Sequence, residues 1–415
     1  MARDGERHMS VGVERISLYA GRCYAVLSDI VAARGGKPEH VRDQLICHER
    51  SVFPPWEDGV TLAVNAARRL LTPDEARDVE LVVIGTESAV DFGKPIATWV
   101  HGWLGLPSTC RTLEVKHACY GATGALQLAI GWLLSGVDPG AKALIVNADH
   151  ALVHLGEAQE PVLGAGGLAL LVSSSPRLVQ YDVGWNGVWA HEVADIFRPA
   201  PGVETGDADE SLLSYLDGVE HTYDAYVSRV GRPIDFDAFF AANVYHVPFG
   251  GLAQRAHLRL ARRELGLSKA AAEQHWARKS AASLTYNRRM GGVYGAATFV
   301  ALAGVLEHQG VAAGDRIGVY SYGSGSCAEF YSATVCPGAR EAVAEARVAS
   351  QLDERRALTL DEYEACEREV AAAIAAADYT PCEDLVPGLW DSHYDGHGRL
   401  VFLGTRDHYR EYEWS

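Results

Sequence analysis

The chain has 415 residues, 48% hydrophobic and 22% charged, with a formal net charge of −17 at pH 7. That length suits two domains or two halves of one large unit, and the acidic balance argues against nucleic acid and anionic membrane as partners. No apolar run approaches the roughly 20 residues a membrane helix needs, and the opening run MARDGERHMSVG lacks an apolar core of signal-peptide length, so a cytoplasmic protein is expected. Eight cysteines are scattered without CxxC pairs, which indicates neither a zinc site nor a disulfide framework.

In chain order, residues 11–25 read as a first strand followed by an irregular turn, and a polar segment begins at Arg34-Gly35-Gly36-Lys37-Pro38. Val60–Leu71 reads as a helix ended before Pro73. Val79–Thr86, Ala141–Ala148 and Gly167–Ser173 are short apolar runs suited to strands buried on both faces of a sheet. The first ends at Glu87-Ser88 and the second at Asp149-His150. Strand and helix alternate, which implies a layered α/β architecture with functional side chains where strands end. In the second half Val179–Trp189 reads as a strand and His191–Asp209 as a loop. Ser211–Tyr226, Leu252–Leu265 and Gly295–His308 read as helices, and Arg316–Ser321 as a strand delivering Tyr322-Gly323-Ser324-Gly325-Ser326. Arg399–Trp414 begins strand-like and ends in a charged aromatic tail.

The stretch Val115–Gly124 organises the chain. Cys119 lies between a polar run and the apolar helix that reads from Tyr120 to Ser135, about 24 Å long. Unpaired N–H groups and the dipole at a helix start favour an anion and lower a thiol pKa, so the cysteine reads as a reactive thiolate or, equally, as an inert buried cysteine. Arg255–Arg289 holds nine basic residues against Glu264 and Glu273; the excess suits an anionic group, an acidic protein surface, or simply a solvated helix face.

Five motifs converge: IGTESAVDFGKP (84–95), EVKHACYGATGALQ (114–127), YHVPFGG (245–251), YNRRMGGVYGAA (286–297) and SYGSGSCAEFYS (321–332). In this order they resemble the hydroxymethylglutaryl-CoA synthase family of condensing enzymes. The resemblance implies a thiolase-like layered αβαβα fold of two similar halves, expected at 1–175 with Glu87 and Cys119 and at 176–415 with His246 and Asn287. WNGVWAHEVADIFRPAP (185–201), GDADESLLSYLDGVEHTYDAY (206–226) and YHVPFGGLAQRAH (245–257) look like the branch that installs β-carbon branches on polyketide chains tethered to acyl carrier protein. Mevalonate-pathway members usually carry a lysine shortly after the His-Pro-Phe element, which helps hold coenzyme A; here that place is Gly250-Gly251-Leu252.

The resemblance implies roles residue by residue. Cys119 takes the acetyl group from a thioester. Glu87 removes a proton from the acetyl methyl, and His246 polarises the β-carbonyl of the acceptor, with Asn287 as a second polar group there. Backbone N–H groups around Gly323 and Ser324 complete an oxyanion site. Arg34 lies where assembly-line members place a basic residue for the pantetheine phosphate. Taken singly, Glu87 reads equally as a strand-end surface acid, His246 as a loop histidine, Asn287 as a turn residue and Gly323-Ser324-Gly325 as a tight turn. No metal and no cofactor is expected beyond the phosphopantetheine thioesters on carrier protein, or coenzyme A. The expected partners are donor and acceptor acyl carrier proteins and a second copy of the chain. The alternatives are a coenzyme A-dependent synthase of the mevalonate pathway, a catalytically silent assembly-line scaffold, and a ketosynthase, whose Cys-His-His or Cys-His-Asn sets lack a strand-end glutamate here.

Overall fold

The computed structural model describes residues 10–415, so the N-terminal run read for a signal segment lies mostly outside the described residues. Nine strands form one mixed sheet. From one edge to the other they run Ala242–Tyr245, Arg316–Gly323, Cys327–Val335, Val179–Ala190, Gly12–Tyr19, Ala165–Ser173, Lys142–His150, Val79–Gly85 and Arg111–Val115. The pattern repeats. Val79–Gly85 is parallel to Lys142–His150, which is antiparallel to Ala165–Ser173, which is antiparallel to Gly12–Tyr19. Ala242–Tyr245, Arg316–Gly323, Cys327–Val335 and Val179–Ala190 follow the same sequence of directions. The first set carries one more strand, Arg111–Val115, at its outer edge.

The apolar strands are buried on both faces because each face meets a different helix layer. Leu81, Val83, Ala143, Ile145, Leu168 and Leu170 belong to one core, and their alternating neighbours Val82, Ile84, Leu144, Val146, Ala169 and Leu171 to another, as a period of two requires. Helices Gly59–Arg68 and Ile96–Trp103 cover the outer face of the first set, and Ala208–Val230 and Gly250–Leu265 pack on the second. Between them lie Gly121–Leu134 and Ala296–His308, the latter touching strands of both sets. Ala296 to Leu306 is buried throughout, the mark of a helix enclosed on all sides. The result is the layered αβαβα arrangement expected from the motifs.

Glycines set the closest approaches. A Cβ on Gly85 would lie 2.5 Å from the Gly121 carbonyl carbon, and one on Gly323 2.5 Å from the Tyr120 nitrogen. Both strand ends therefore press directly on the backbone around Cys119. The helix start Gly59 is held by Asp58, whose Oδ1 accepts from Val60 and Thr61 N–H (2.9 and 3.0 Å) while Thr61 returns a bond to Asp58 N, a capping box.

Two expectations fail locally. His191–Asp209 is not all loop: Ile196–Ala200 pairs with Val203–Gly206 as a hairpin. Pro199 and Pro201 argue against a central strand, but a two-stranded ribbon with open edges tolerates proline. The C-terminal tail is also a strand, Tyr409–Trp414, folded back on Leu400–Arg406. Asp407 and His408 make the turn at φ 45° and 65°, the geometry that suits a tight hairpin. The tail then reaches Asp58, whose Oδ2 accepts from Arg410 Nη1 (2.9 Å) and Tyr412 OH (2.7 Å).

Candidate active site

The Val79–Gly85 strand ends two residues before Glu87, and Asp149, buried near the end of the neighbouring strand Lys142–His150, holds that strand end in place. Asp149 Oδ1 accepts from Thr86 Oγ1 (2.8 Å), Glu87 N (2.9 Å) and Ser88 N (3.0 Å), and Oδ2 accepts from Asn147 Nδ2 (3.1 Å). Glu87 thus has a fixed backbone, and its Oε1 lies 3.9 Å from Cys119 Sγ. Ala118, immediately before the cysteine, has φ 40°, a left-handed conformation costly for a residue with a Cβ. The strained turn Ala118–Tyr120 leads into the Gly121–Leu134 helix.

The electrostatics correct one expectation. Cys119 is not a stabilised thiolate at rest. Burial and the neighbouring Glu87, Asp149, Glu204 and Asp195 carboxyls push its pKa up, outweighing the favourable helix start. Burial, with Asp149 and Glu204, also pushes the Glu87 carboxyl up. Two acids that each prefer their proton and sit in contact can pass one between them.

His246 follows the Ala242–Tyr245 strand and is fully buried. Its backbone N–H bonds Tyr320 O (2.7 Å) and its carbonyl accepts from Tyr215 OH (2.7 Å). Nδ1 faces Thr298 Oγ1 at 3.4 Å, and Nε2 is buried without a partner. Burial pushes its pKa down to about 3, so the imidazole is neutral at ordinary pH. Asn287, also buried, donates its amide to Ser283 O and Ala297 O (both 3.2 Å) and leaves Oδ1 unpartnered. Asn287 and His246 are therefore both tied to the first turn of Ala296–His308. Asn147 Oδ1 accepts from Ala296 N at 2.8 Å, and a Cβ on the preceding Gly295 would meet Cys119 O at 2.8 Å. The histidine and asparagine are thus connected to the cysteine turn through one helix start.

Gly323 packs on His117 and Tyr120, which brings it to the cysteine turn; Ser324 follows in the bend to Ser326. That bend is fixed by Asp195, which accepts from Gly325 N (2.8 Å) and Tyr322 OH (2.7 Å). Arg34 is engaged elsewhere: it donates to both Glu160 oxygens (3.0 Å each) and to Glu364 (2.7 Å). These contacts use three of its five guanidinium N–H donors. Most of the basic excess between 255 and 289 is answered within the chain. Arg259 pairs with Asp217 and Glu220, Arg263 with Asp224 and Glu264, Lys279 with Asp237, and Arg289 with Glu49 and Asp353.

Sequence reasoning missed Asp149, Asn147 and Asp195 as organisers, and also Glu329. Glu329 is buried and accepts from Tyr120 OH (2.6 Å), Gln127 Nε2 (2.7 Å) and Asn186 Nδ2 (3.0 Å), tying the cysteine helix to the second strand set. The signal available was that Asp149 ends an apolar strand and that Glu329 interrupts one. Among the described residues no cluster of His, Cys, Asp and Glu has a metal-binding arrangement.

The family models described as hydroxymethylglutaryl-coenzyme A synthase N terminal and C terminal match residues 52–176 and 262–394. The chain is 34% identical to the polyketide biosynthesis 3-hydroxy-3-methylglutaryl-ACP synthase PksG of Bacillus subtilis, over 98% of this chain and 99% of that one. It is 31% identical to the hydroxymethylglutaryl-CoA synthase of Enterococcus faecalis, over 86% and 91%. The structure of the curacin biosynthetic pathway HMG synthase in complex with acetyl donor-ACP superposes with a TM-score of 0.93 at 38% identity, covering 98% of this chain and all of that one. With both halves of the profile matched and the cysteine, glutamate and histidine standing as described, this chain belongs to the hydroxymethylglutaryl-CoA synthase family of condensing acyltransferases, which act on carrier-protein or coenzyme A thioesters.

Proposed function

We propose that this chain adds an acetyl-derived carboxymethyl unit to the β-keto carbon of a polyketide held on an acyl carrier protein. The observation that carries the chemistry is the contact between Cys119 Sγ and Glu87 Oε1 at 3.9 Å. Glu87 accepts the thiol proton as sulfur attacks the acetyl thioester, and the carrier thiol leaves with a proton. Glu87 then takes a proton from the methyl of acetyl-Cys119, and the resulting carbanion attacks the acceptor β-carbonyl carbon. A hydroxyl proton given by Thr298 to Nδ1 leaves Nε2 of His246 as the N–H that meets the carbonyl oxygen, where charge develops. Water finally cleaves the acyl-cysteine and frees the new carboxylate. Gly323 and Ser324 stand as the source of backbone N–H groups for the acetyl oxygen, Asn287 as support for the acceptor site, and Arg34 as a phosphate contact that exchanges one carboxylate partner. The halves 1–175 and 176–415 contribute Glu87 with Cys119, and His246 with Asn287, respectively.

Carrier protein rather than coenzyme A is supported by Gly250-Gly251. A Cβ on Gly251 would lie 1.9 Å from Gln44 O, and one on Gly250 2.8 Å from Ile46 O. No lysine fits where mevalonate-type members hold coenzyme A. The curacin pathway HMG synthase is known in complex with acetyl donor-ACP and with holo donor-ACP, and an acceptor carrier protein is proposed alongside the donor. A homodimer is supported by the Arg111–Val115 edge strand, paired on one side only, with Leu113, Phe92 and Leu128 exposed. Among the described residues no helix is long and apolar enough to cross a membrane.

The test is intact mass after mixing the protein with acetyl-carrier protein or acetyl-CoA, with Cys119→Ser alongside. An acetyl adduct on the wild type only, formed faster from the carrier, is expected. Equal or faster loading from acetyl-CoA points to the mevalonate-type enzyme, and no adduct from either donor removes the proposed reaction.

A further inference from the structure

Arg198 and Glu204 face each other across the Ile196–Ala200/Val203–Gly206 hairpin. Arg198 Nη2 bonds Glu204 Oε2 at 2.8 Å, and their side chains are only 15% and 12% exposed. Tyr294, held at φ 48°, closes the group: its hydroxyl donates to Glu204 Oε2 (3.2 Å) and lies 3.4 Å from Arg198 Nη2. The other terminal nitrogen, Nη1, donates to the backbone carbonyl of Glu87 at 3.2 Å. The hairpin thus brings one cation and one anion against the residue that serves as base.

We propose that Arg198 and Glu204 form an opposed charge pair that positions Glu87 and sets the pH range in which it works, Arg198 extending that range toward acid and Glu204 restricting it. This rests on the proposed role of Glu87 in the condensation. The other groups acting on Glu87 are Asp149 from the Lys142–His150 strand, Cys119 at the helix start and Tyr294 from the loop before Ala296–His308. Arg198 is the cation among them, and it favours the carboxylate, while Asp149 and Glu204 disfavour it. Because the pair is shielded from water, each charge acts more strongly than an exposed one. A base must be ionised, so whatever raises the proton affinity of Glu87 moves the acid limb of the rate profile to higher pH. Loss of the Arg198 charge raises it, and loss of the Glu204 charge lowers it. A hairpin that served only as packing would give no such opposition of sign.

The experiment is single-turnover condensation by enzyme already acetylated on Cys119, with a 3-ketoacyl-carrier acceptor, from pH 5 to pH 9. Acetylation removes the thiol from the titration. Arg198→Met moves the acid limb up by about one pH unit and Glu204→Gln moves it down by a similar amount. Arg198→Lys, which keeps the charge and guards against a fold defect in Arg198→Met, holds the limb near that of the wild type. Shifts in the same direction, or limbs that stay together, overturn the charge-pair assignment. Acetylation is scored separately by intact mass on the wild type. If the wild type takes no acetyl group, the proposed reaction fails instead, and the two failures remain distinct.

Discussion

His246 owes its chemistry to what surrounds it. Full burial pushes its pKa down to about 3, which favours the neutral ring, and among the described residues Nε2 has no partner. A buried nitrogen without a partner costs on the order of 1–3 kcal/mol, a cost that the acceptor carbonyl would relieve in the proposed reaction. In the proposed reaction Cys119 is acetylated before His246 meets the acceptor, so the two functions separate by mutation. His246→Ala is expected to retain the acetyl adduct on Cys119 while condensation falls about 100-fold or more. Intact mass and single-turnover product formation read the two steps. Condensation at the wild-type rate in this variant would remove His246 from the reaction.

The central elements are placed by backbone contact, and side-chain volume is what they exclude. The Val79–Gly85 strand presses on the cysteine helix at Gly85 and Gly121, where an added methyl would sit 2.5 Å from backbone. Backbone cannot rotate away as a side chain does, so Gly85→Ala must push the helix start from the strand. Overpacking of this kind costs about 1–3 kcal/mol. The expected result is a lower melting temperature together with slower acetylation, since the same displacement moves Cys119 away from Glu87. Gly136→Ala is the control for the loss of a glycine alone, because nothing lies within 4 Å of its Cβ position although its φ of 92° carries strain; it should cost stability without slowing acetylation. If Gly85→Ala keeps full stability and acetylation, the close-approach argument fails.

At the scale of the molecule the sheet has unequal edges. Ala242–Tyr245 is buried along its length, whereas Arg111 and Leu113 on the opposite edge are exposed. An open, apolar edge invites a second strand, and charge blunts it. Light scattering is expected to give twice the chain mass for the wild type and the single-chain mass for Leu113→Lys at the same concentration. A wild-type monomer would rule out the proposed dimer, and an unchanged Leu113→Lys dimer would place its interface elsewhere. The closed end of the molecule is held differently. The C-terminal hairpin brings Arg410 and Tyr412 to Asp58, which at the same time caps Gly59–Arg68, so the last strand secures a helix some 350 residues earlier.

The sequence by itself determined the layered class, because runs such as Val79–Thr86 and Ala141–Ala148 are apolar at consecutive positions (Leu81–Ile84, Ala143–Val146), which burial on both faces accounts for. It also singled out the candidate residues Glu87, Cys119 and His246, since each falls at the end of an apolar element or the start of one, within motifs that occur in family order. Several matters were decided only by tertiary structure. The thiol pKa is pushed up, because the packed fold buries it and sets four carboxyls from distant segments around it, and no local reading of a helix start contains either effect. The basic run 255–289 is largely paired, because its acidic partners lie on Ala208–Val230 and beyond. Arg34 is occupied, because Glu160 and Glu364 reach it from other parts of the chain. The hairpin at 196–206 escaped notice because proline reads as a breaker until a second strand is in place, yet this hairpin brings Arg198 to the Glu87 backbone. Local pattern reports which atoms are buried; which charges meet is a property of chain segments far apart in sequence, and it exists only after they pack.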